Sequence, residues 1–330
     1  MRSIFALLLS STIFYSVNTL AWDSVGHRLT VAVAVSFLSE EKRQELVSIL
    51  RSHPRYQDDF LSQIPDFINQ NDATELSTWL LGQAAYWPDI ARGLPAEARN
   101  RYNRPNWHYT DGAWVRGAAQ LTGNIYLGVS AAELIQGEAA SSIRNERQVH
   151  NVVTAIDFNT RVLVDDSQAP AARAVALCWV LHLMGDIHQP LHAGSLFSRA
   201  LFETGDRGSN GIDTGSRSTL HLDWDRALRD EGISNSLPLI LDSIAGYESS
   251  QLIGIESDWT AWMAESREIL LSVVYTEAMR TAITRADQSG SELGAQSLSS
   301  DYINGMKNIS RQRLGLAGMR LAIFFENELN

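Results

Sequence analysis

The residue types best suited to hold a metal ion are concentrated in one part of the sequence. Four of the eight histidines lie between residues 180 and 222. In the segment HLMGDIHQPLH, His182 and Asp186 are four residues apart, so on a helix both side chains project from one face. Pro190 is expected to end this helix, which would leave His192 just beyond it, on the side of the following loop.

The segment LHLDWD repeats the same spacing with His221 and Asp225. A single pair of this kind has an ordinary structural explanation, a hydrogen bond inside the core. Several buried imidazole–carboxylate pairs, however, cost free energy unless each is well satisfied. Neutral imidazole and carboxylate oxygen are, in contrast, the usual ligands of zinc. Taken together, the two pairs and the additional histidine favour a zinc site over a purely structural role.

The N-terminus is typical of a secretory signal peptide. Arg2 provides a positive charge, residues 4–17 are mostly apolar, and the tripeptide TLA (19–21) supplies small residues before a cleavage site. Removal of residues 1–21 would make Trp22 the first residue; the alternative is an uncleaved anchor. No other apolar run approaches the ~20 residues of a spanning helix, so we expect an exported protein with no membrane segment after cleavage.

Three upstream motifs contain further ligand types. WPD places Asp89 at the end of a predicted helix, and NWHYTD places His108 in a loop among aromatic side chains. His27 lies five residues after Trp22. A free α-amine and its own carbonyl can chelate a metal together with a nearby histidine, and this amine exists only after cleavage. Processing would therefore complete a ligand set as well as release the protein.

The composition limits the class of protein. The chain has 330 residues, of which 45% are hydrophobic, enough to bury a large core in one domain or two. A formal net charge of −11 argues against binding nucleic acid through a broad basic face, but not against a site where metal ions supply the positive charge. Cys178, the one cysteine, can form no internal disulfide and is predicted to be a small core residue.

Helical periodicity extends over most of the chain, and alternation with a period of two is hard to find. Two segments rich in loop-forming residues, 87–117 and 193–219, interrupt the pattern, the second with room for a small hairpin. Loops of this length are usually functional. We expect a mainly α fold in which residues 22–330 form a single helical domain. Helices are predicted over residues 24–37, 39–51, 72 or 74 to 86, 131–145, 146–164, 170–187, 259–285 and 302–328.

Six motifs occur in order between residues 21 and 225: AWDSVGH, WPDIAR, NWHYTD, HLMGDIHQPLHAG, GDRGSNG and LHLDWD. In this set the chain resembles the zinc-dependent single-strand nucleases and 3′-nucleotidases of fungal and plant type, which share a superfamily with bacterial zinc phospholipase C. The residues beyond 225 carry no matching motif. The cysteines that form disulfides in many members are missing, so those bridges are absent here.

The resemblance implies a mostly helical fold of the zinc phospholipase C and nuclease type that holds three zinc ions. Within it, the residues that look like the first zinc site are Asp89, His108, His182 and Asp186. Those that look like the second are His192, His221 and Asp225. The third resembles a set made by the amine and carbonyl of Trp22, with His27 and a bridging Asp186.

The remaining histidines are not ligands in the family pattern. His188 is expected to form a hydrogen bond at the end of the helix. His53 and His150 match no motif and are expected to be ordinary surface or packing residues.

The resemblance also implies the chemistry. A hydroxide that bridges the first and third zinc ions, which Asp186 joins, would attack phosphorus in line, and the second zinc would stabilise the leaving 3′-oxygen. The implied substrates are single-stranded DNA and RNA, cleaved to 5′-phosphorylated products, and 3′-nucleotides.

Four further residues are candidates for contact with the substrate. Asp111 is expected near the first zinc or the base pocket. Arg92 can pair with Asp111 or with a phosphate, or form only a structural salt bridge; with Asp186, these two are the candidate catalytic residues. Tyr109 has the position of an aromatic that stacks a nucleobase, a contact that needs an unpaired strand. Asn210, in the Gly-rich loop, is expected to orient the phosphate.

Two alternatives stay open at this point. A phospholipase C would use the same ligands but present an apolar mouth to a lipid; the motifs around Trp107 and Gly205 favour the nuclease. A non-catalytic zinc-binding module would hold metal without turnover. No obligate protein partner is predicted.

Overall fold

A computed structural model of the protein describes residues 22–110, 125–127, 146–215, 217–247 and 258–329, without the side chains of 125–127 and Gln148. Within these ranges the chain is mainly helical. In chain order, the α-helices are α1 (Ser24–Phe37), α2 (Glu40–Leu50), α3 (Tyr56–Asp59), α4 (Ala73–Ile90), α5 (Ala96–Tyr102), α6 (Val152–Val164), α7 (Pro170–Asp186), α8 (Leu220–Asp225), α9 (Gly232–Ile244), α10 (Trp259–Ile269), α11 (Glu277–Ser289) and α12 (Ser300–Glu328).

Side-chain caps set the starts of the predicted N-terminal helices. The carboxylate of Asp23 accepts from the first turn of α1, and Ser39 Oγ accepts from the backbone of α2. Asp72 does the same for α4. A capping oxygen satisfies backbone N–H groups that have no partner within the helix, which explains why these three helices begin where the sequence predicts.

Three predicted boundaries are wrong. The predicted loop over 87–117 begins too early, since α4 runs through Pro88 to Ile90 on a buried face, and α5 also lies within it. The helix predicted over 146–164 begins only at Val152, after Asn151 forms a capping box. The helix predicted over 259–285 is divided, because a π-helical turn follows α10 and Thr276 caps α11. Residues 111–117 and the predicted helix over 131–145 lie outside the described residues.

Two small sheets complete the fold. Strands β1 (Ile125–Leu127) and β2 (Leu196–Ser198) pair antiparallel across the chain, which the sequence did not predict. Strands β3 (Asp213–Gly215) and β4 (Ser218–Thr219) form the small hairpin expected in the second loop. No helix in the described ranges is both long enough and apolar enough to cross a membrane.

Helix α7 lies at the centre of the packing. From Ala176 to Asp186 each of its side chains is buried, including Cys178, as predicted for a helix that is apolar on all sides. Helices α1, α4, α6 and α12 pack around it. A core helix of this kind places any polar side chain it carries out of contact with bulk water, and α7 carries His182 and Asp186.

Helices α1 and α12 approach each other closely at a glycine. A Cβ atom added at Gly318 would lie 2.5 Å from Val33 Cβ and 2.7 Å from the carbonyl oxygen of Thr30. Both distances are shorter than ordinary carbon contacts, so only glycine permits this helix separation.

We therefore predict that Gly318→Ala lowers the free energy of unfolding by about 1–3 kcal/mol, because the extra carbon forces the two helices apart. Gly305→Ala is the matched control: it lies on the same helix with no atom within 4 Å of the added carbon. It is expected to stabilise by about 0.5–1 kcal/mol through helix propensity. Urea unfolding of both variants measures the difference, and equal midpoints would contradict the close approach.

Candidate metal centre

Three groups of buried imidazole and carboxylate atoms lie around the C-terminal end of α7. In each group the ligand-type atoms lie within 4.8 Å of one another. Two of the groups share His182, and the members of each of these two groups come from segments that are distant in sequence. The groups are His27, His182 and Asp186; Asp89, His108 and His182; and His192, His221 and Asp225.

The ends of helices bring these side chains together. His182 and Asp186 occupy successive turns of α7, and Asp89 lies in the last turn of α4. His27 lies in the first turns of α1, and His108 follows a 3₁₀ turn at Pro105–Trp107. The other three lie beyond α7: His192 ends the 3₁₀ turn Pro190–His192, as Pro190 predicted, and α8 carries His221 and Asp225.

The Asp186 carboxylate is surrounded by four imidazole rings. Its Oδ2 lies 3.1 Å from His108 Nδ1 and 3.1 Å from His182 Nε2. Its Oδ1 lies 3.7 Å from His27 Nε2 and 3.7 Å from His192 Nδ1. One carboxylate therefore lies against rings of all three groups, with a different oxygen toward each side; the His192 nitrogen nearest to it is Nδ1, which also contacts a backbone carbonyl.

Backbone carbonyls fix the orientation of three of the rings. The Nδ1–H of His182 donates to Ala85 O (2.7 Å), that of His192 to His108 O (2.6 Å) and that of His221 to Gly208 O (2.5 Å). A donating Nδ1 leaves the lone pair on Nε2, which is the arrangement that a metal-binding histidine adopts.

Gln189 has a comparable role for a carboxylate. Its Nε2 donates to Asp225 Oδ1 at 2.7 Å, which leaves Oδ2 of Asp225 3.3 Å from His221 Nε2. Gln189 was not among the residues predicted for the site; its position between His188 and Pro190 in HLMGDIHQPLH is the one sequence feature that points to it.

Several buried atoms of these groups have no hydrogen-bond partner among the described residues. A buried polar atom left in this state costs about 1–3 kcal/mol, so such a concentration is unfavourable unless a further group binds there. Because all the atoms are nitrogen or carboxylate oxygen, the donor set fits a cation of the zinc type. The atoms are both ring nitrogens of His27, Nε2 of His108, Oδ2 of Asp89, Oδ1 of Asp186 and Oδ2 of Asp225.

Burial shapes the protonation of the site. It lowers the pKa of His27, His108 and His192 well below the usual range, which keeps these rings neutral. It also raises the pKa of Asp186 to about 6 and that of Asp225 well above its usual range. Neutral imidazole is the ligand form, and a bound cation would return both carboxyls to the ionised form.

His182 differs from the other rings. Burial alone would lower its pKa, but the charge and the hydrogen bond of the adjacent Asp186 carboxylate more than offset burial, so the pKa of His182 is raised. The His182 ring contacts Ala85 O through Nδ1 and Asp186 Oδ2 through Nε2.

The first two described residues lie against the same centre. Trp22 is buried, and its Nε1–H donates to Gly185 O at 3.0 Å. The next backbone N–H, that of Asp23, donates to Asp225 O at 3.2 Å. Gly26 permits this arrangement, since a Cβ atom there would lie 2.7 Å from Trp22 Cβ. The backbone of Trp22 is thereby held between residues that adjoin two of the groups.

The residues predicted to contact substrate are more dispersed. Arg92 Nη2 pairs with Asp89 Oδ1 at 2.8 Å; Asp111, the predicted partner, lies outside the described residues. Tyr109 is half-buried beside His108, and its carbonyl oxygen accepts from Val152 N. Asn210 Nδ2 donates to Arg207 O at 2.8 Å, within the Gly-rich loop.

The Gly-rich loop has an unusual backbone. Arg207, Gly208 and Ser209 adopt φ values of 60°, 59° and 67°, three successive left-handed residues. The buried Asp206 holds the loop by accepting from Tyr275 OH (2.7 Å) and Leu196 N (3.0 Å). This conformation is unfavourable for residues other than glycine, and it aims the Gly208 carbonyl at His221. The sequence marked the loop but not the part played by Asp206 and Tyr275.

The histidines excluded from the ligand set lie elsewhere. His188 makes the hydrogen bond expected at the helix end, from Nδ1–H to Met184 O at 2.7 Å. His53 is buried against Phe60 and Trp87, as a packing residue, and His150 is exposed.

Known proteins are similar in sequence to this chain over different lengths. Residues 22–330 match the family model described as S1/P1 Nuclease. Nuclease S1 of Aspergillus oryzae is 24% identical over 331 aligned residues, which cover 96% of this chain and 95% of that protein. Endonuclease 1 of Arabidopsis thaliana is 30% identical over 157 residues, 45% of this chain and 47% of that protein. Endonuclease 5 of the same plant is 26% identical over 156 residues, 44% of this chain and 48% of that protein.

The family model thus covers the whole described part of the chain, from Trp22 through α12, and every group of the candidate metal centre lies within it. The protein belongs to the S1/P1 nuclease family and is a hydrolase that acts on phosphodiester bonds of nucleic acids.

Proposed function

We propose that this protein is an exported, zinc-dependent single-strand endonuclease that is also a 3′-nucleotidase. Its substrates would be single-stranded DNA, RNA and 3′-nucleotides, and its polynucleotide products would carry 5′-phosphates. The observation that carries the proposal is the position of Asp186, one buried carboxylate that faces atoms of three ligand groups.

The ligand sets follow the family resemblance and agree with the geometry of the groups. The side chains of each set, other than that of Trp22, belong to the groups of buried atoms described above, and Asp186 is common to two of the sets. The proposed sets for three zinc ions are Asp89, His108, His182 and Asp186; His192, His221 and Asp225; and Trp22, through its amine and carbonyl, with His27 and Asp186.

Zinc at these positions would lower the pKa of water toward neutrality and neutralise charge on a phosphate. The protein's own side chains supply the geometry. Asp186 holds neighbouring groups at a fixed distance through its two oxygens, and the carbonyls of Ala85, His108 and Gly208 keep three imidazoles turned toward the centre. Arg92, paired with Asp89, is the cation that we propose for contact with the phosphate or for orienting Asp89.

The preference for unpaired strands would come from Tyr109. This residue adjoins His108 and is half-buried, so it is not enclosed in the core. Stacking of a base on such a ring contributes about 1–3 kcal/mol and requires a base that can leave its strand partner. Asp111 and Asn210 are proposed as further contacts to the base and the phosphate.

Export and catalysis would be linked through Trp22. Removal of residues 1–21 creates the α-amine that completes the third ligand set. The hydrogen bonds of the Trp22 indole to Gly185 O and of Asp23 N to Asp225 O support this proposal, since they tie this segment to the residue before Asp186 and to Asp225.

A panel of substrates tests the proposed activity. The protein that begins at Trp22 is expected to hydrolyse single-stranded DNA, RNA and 3′-AMP, and to cleave a DNA strand more slowly once it is annealed to its complement. Phosphatidylcholine is the comparison substrate: hydrolysis of the lipid alone would identify a phospholipase C, and zinc binding without turnover on any substrate would identify a non-catalytic module.

Replacement of the shared carboxylate should abolish turnover. Asp186→Asn keeps the size of the side chain but removes the charge that two ligand sets share, so kcat on single-stranded DNA should fall by about 10³-fold or more, equivalent to several kcal/mol. Asp287→Asn is the control, since Asp287 is also buried and bonds the N–H groups of Ala200 and Leu201 but belongs to none of the three groups. An Asp186→Asn enzyme with near-normal turnover would refute the shared site.

Metal analysis tests the role of the N-terminus. Protein that begins at Trp22 is expected to contain three zinc ions per chain, and protein with a single alanine added before Trp22 is expected to contain two, because a peptide nitrogen cannot replace the amine as a ligand. Equal zinc contents in the two preparations would remove Trp22 from the ligand set.

A further inference from the structure

We propose that Arg313, Arg320 and Glu265 are positioning residues that set the distance between Asp186 and His192 by holding the turn that joins them. The inference rests on the proposed function, since it concerns the separation of the proposed ligand sets. It also gives a role to the C-terminal part of the chain, which carries none of the six motifs.

The turn after α7 is held at its backbone carbonyls. Ile187 O accepts from Ser266 Oγ at 2.6 Å, His188 O accepts from Arg313 Nε at 3.1 Å, and Ala193 O accepts from Arg267 Nη1 at 2.7 Å. Side chains of α10 and α12 thus bond carbonyls that lie just beyond the end of α7, so the path from Asp186 to His192 is held at both ends.

His188 adds a contact through its side chain. Its Nδ1–H donates to Met184 O within α7, and its Nε2 accepts from Arg320 Nη1 at 2.7 Å. A ring bonded at both nitrogens to fixed partners cannot rotate. His188 therefore connects the last turn of α7 to α12 without facing the metal centre.

A single carboxylate holds both arginines in place. Glu265 Oε2 lies 2.7 Å from Arg313 Nη1 and 2.8 Å from Arg320 Nη1, and its Oε1 lies 2.6 Å from Arg320 Nη2. Arg320 also lies over the ring of Trp262, 4.9 Å from its centroid. The planar guanidinium group of an arginine presents its N–H donors in a rigid arrangement, so it holds an acceptor more precisely than the flexible ammonium group of a lysine does.

The cluster of Arg313, Arg320 and Glu265 carries a net positive charge next to the C-terminal end of α7. Arg313 and Arg320 are only 3% and 4% exposed, and two guanidinium groups share one carboxylate. The excess positive charge faces the C-terminal end of α7, where the carbonyl dipoles carry partial negative charge.

Stability alone does not account for the cluster. A buried ion network is often no more stable than a well-packed apolar replacement of the same volume. Its distinct property is the direction of its hydrogen bonds. The two that its arginines donate toward α7 both end on His188, one at the backbone oxygen and one at Nε2 of the ring. We therefore assign it to the geometry of the centre.

The test compares two substitutions on α12. Arg313→Met removes the bond to His188 O but leaves the pair of Arg320 and Glu265. Arg311→Met is the matched control, because it removes a similar ion pair, from Arg311 Nη2 to Glu231 Oε1 at 2.8 Å, in which neither residue belongs to the turn after α7. Each protein begins at Trp22. Zinc affinity is measured by competition with a chelator. The visible absorption of the cobalt-substituted protein reports the geometry of the centre, and kcat and KM are measured on single-stranded DNA.

Loss of a residue that orients metal ligands typically lowers metal affinity or activity by about 10–100-fold. We expect a loss of this size in zinc affinity and in kcat for Arg313→Met, with a changed cobalt spectrum and little change in KM. Arg311→Met should match the wild type in all of these. Identical zinc affinity, spectrum and kcat in the two variants would overturn the inference.

Two further outcomes are distinguishable. If the wild type binds no zinc, the proposed function fails, whatever the variants do. If Arg313→Met does not fold, Ser266→Ala decides, because it removes one hydroxyl that joins Ile187 O to Arg313 Nη2. A smaller loss of zinc affinity and kcat with Ser266→Ala supports the positioning role, and wild-type values contradict it.

Discussion

The structure depends on one unfavourable interaction, the burial of the Asp186 carboxylate among four imidazole rings. A charge in this position is tolerated only if the surroundings are rigid and a cation is available. The rest of the fold supplies the rigidity. Helix α7 is apolar on every side and lies at the centre, and backbone carbonyls of α4 and of the segment at His108 accept from the Nδ1–H groups of His182 and His192. The same burial that keeps the imidazoles neutral raises the pKa of Asp186, and neutral imidazoles beside a carboxyl group are suited to bind a metal ion.

Local patterns predicted the elements that depend on local forces. The caps at Asp23, Ser39 and Asp72 and the apolar surface of α7 are encoded within a few residues of the helices they define. The ligand types were recognisable for the same reason, since the spacing of His182 and Asp186 and the stop at Pro190 are properties of one helix and its end. All members of the three groups were among the predicted ligands.

Features that depend on tertiary contacts were missed. The loop-forming residues from position 87 onward predicted that α4 ends at residue 86, but Trp87, Pro88 and Asp89 are buried and the helix continues to Ile90. Strand β1 pairs with β2 across a large separation in sequence, which no local alternation marks. Gln189 and Arg313 look like ordinary polar residues in the sequence. Their hydrogen-bond partners, Asp225 for Gln189 and His188 O for Arg313, are brought to them only by the tertiary fold. Residues that orient a site are recognised by their partners, and those partners are not neighbours along the chain.

The bonds around α7 also determine when the centre can form. Trp22 reaches Gly185 across 163 positions, and Arg313 reaches His188 across 125. Closing contacts of such separation is slow because the intervening chain must lose its entropy first. A nascent chain that is still emerging has α7 but not α12, so Asp186 lies in an incomplete core. Assembly of the centre is therefore a late event, and a metal ion that needs the complete centre would bind only after α12 has been synthesised.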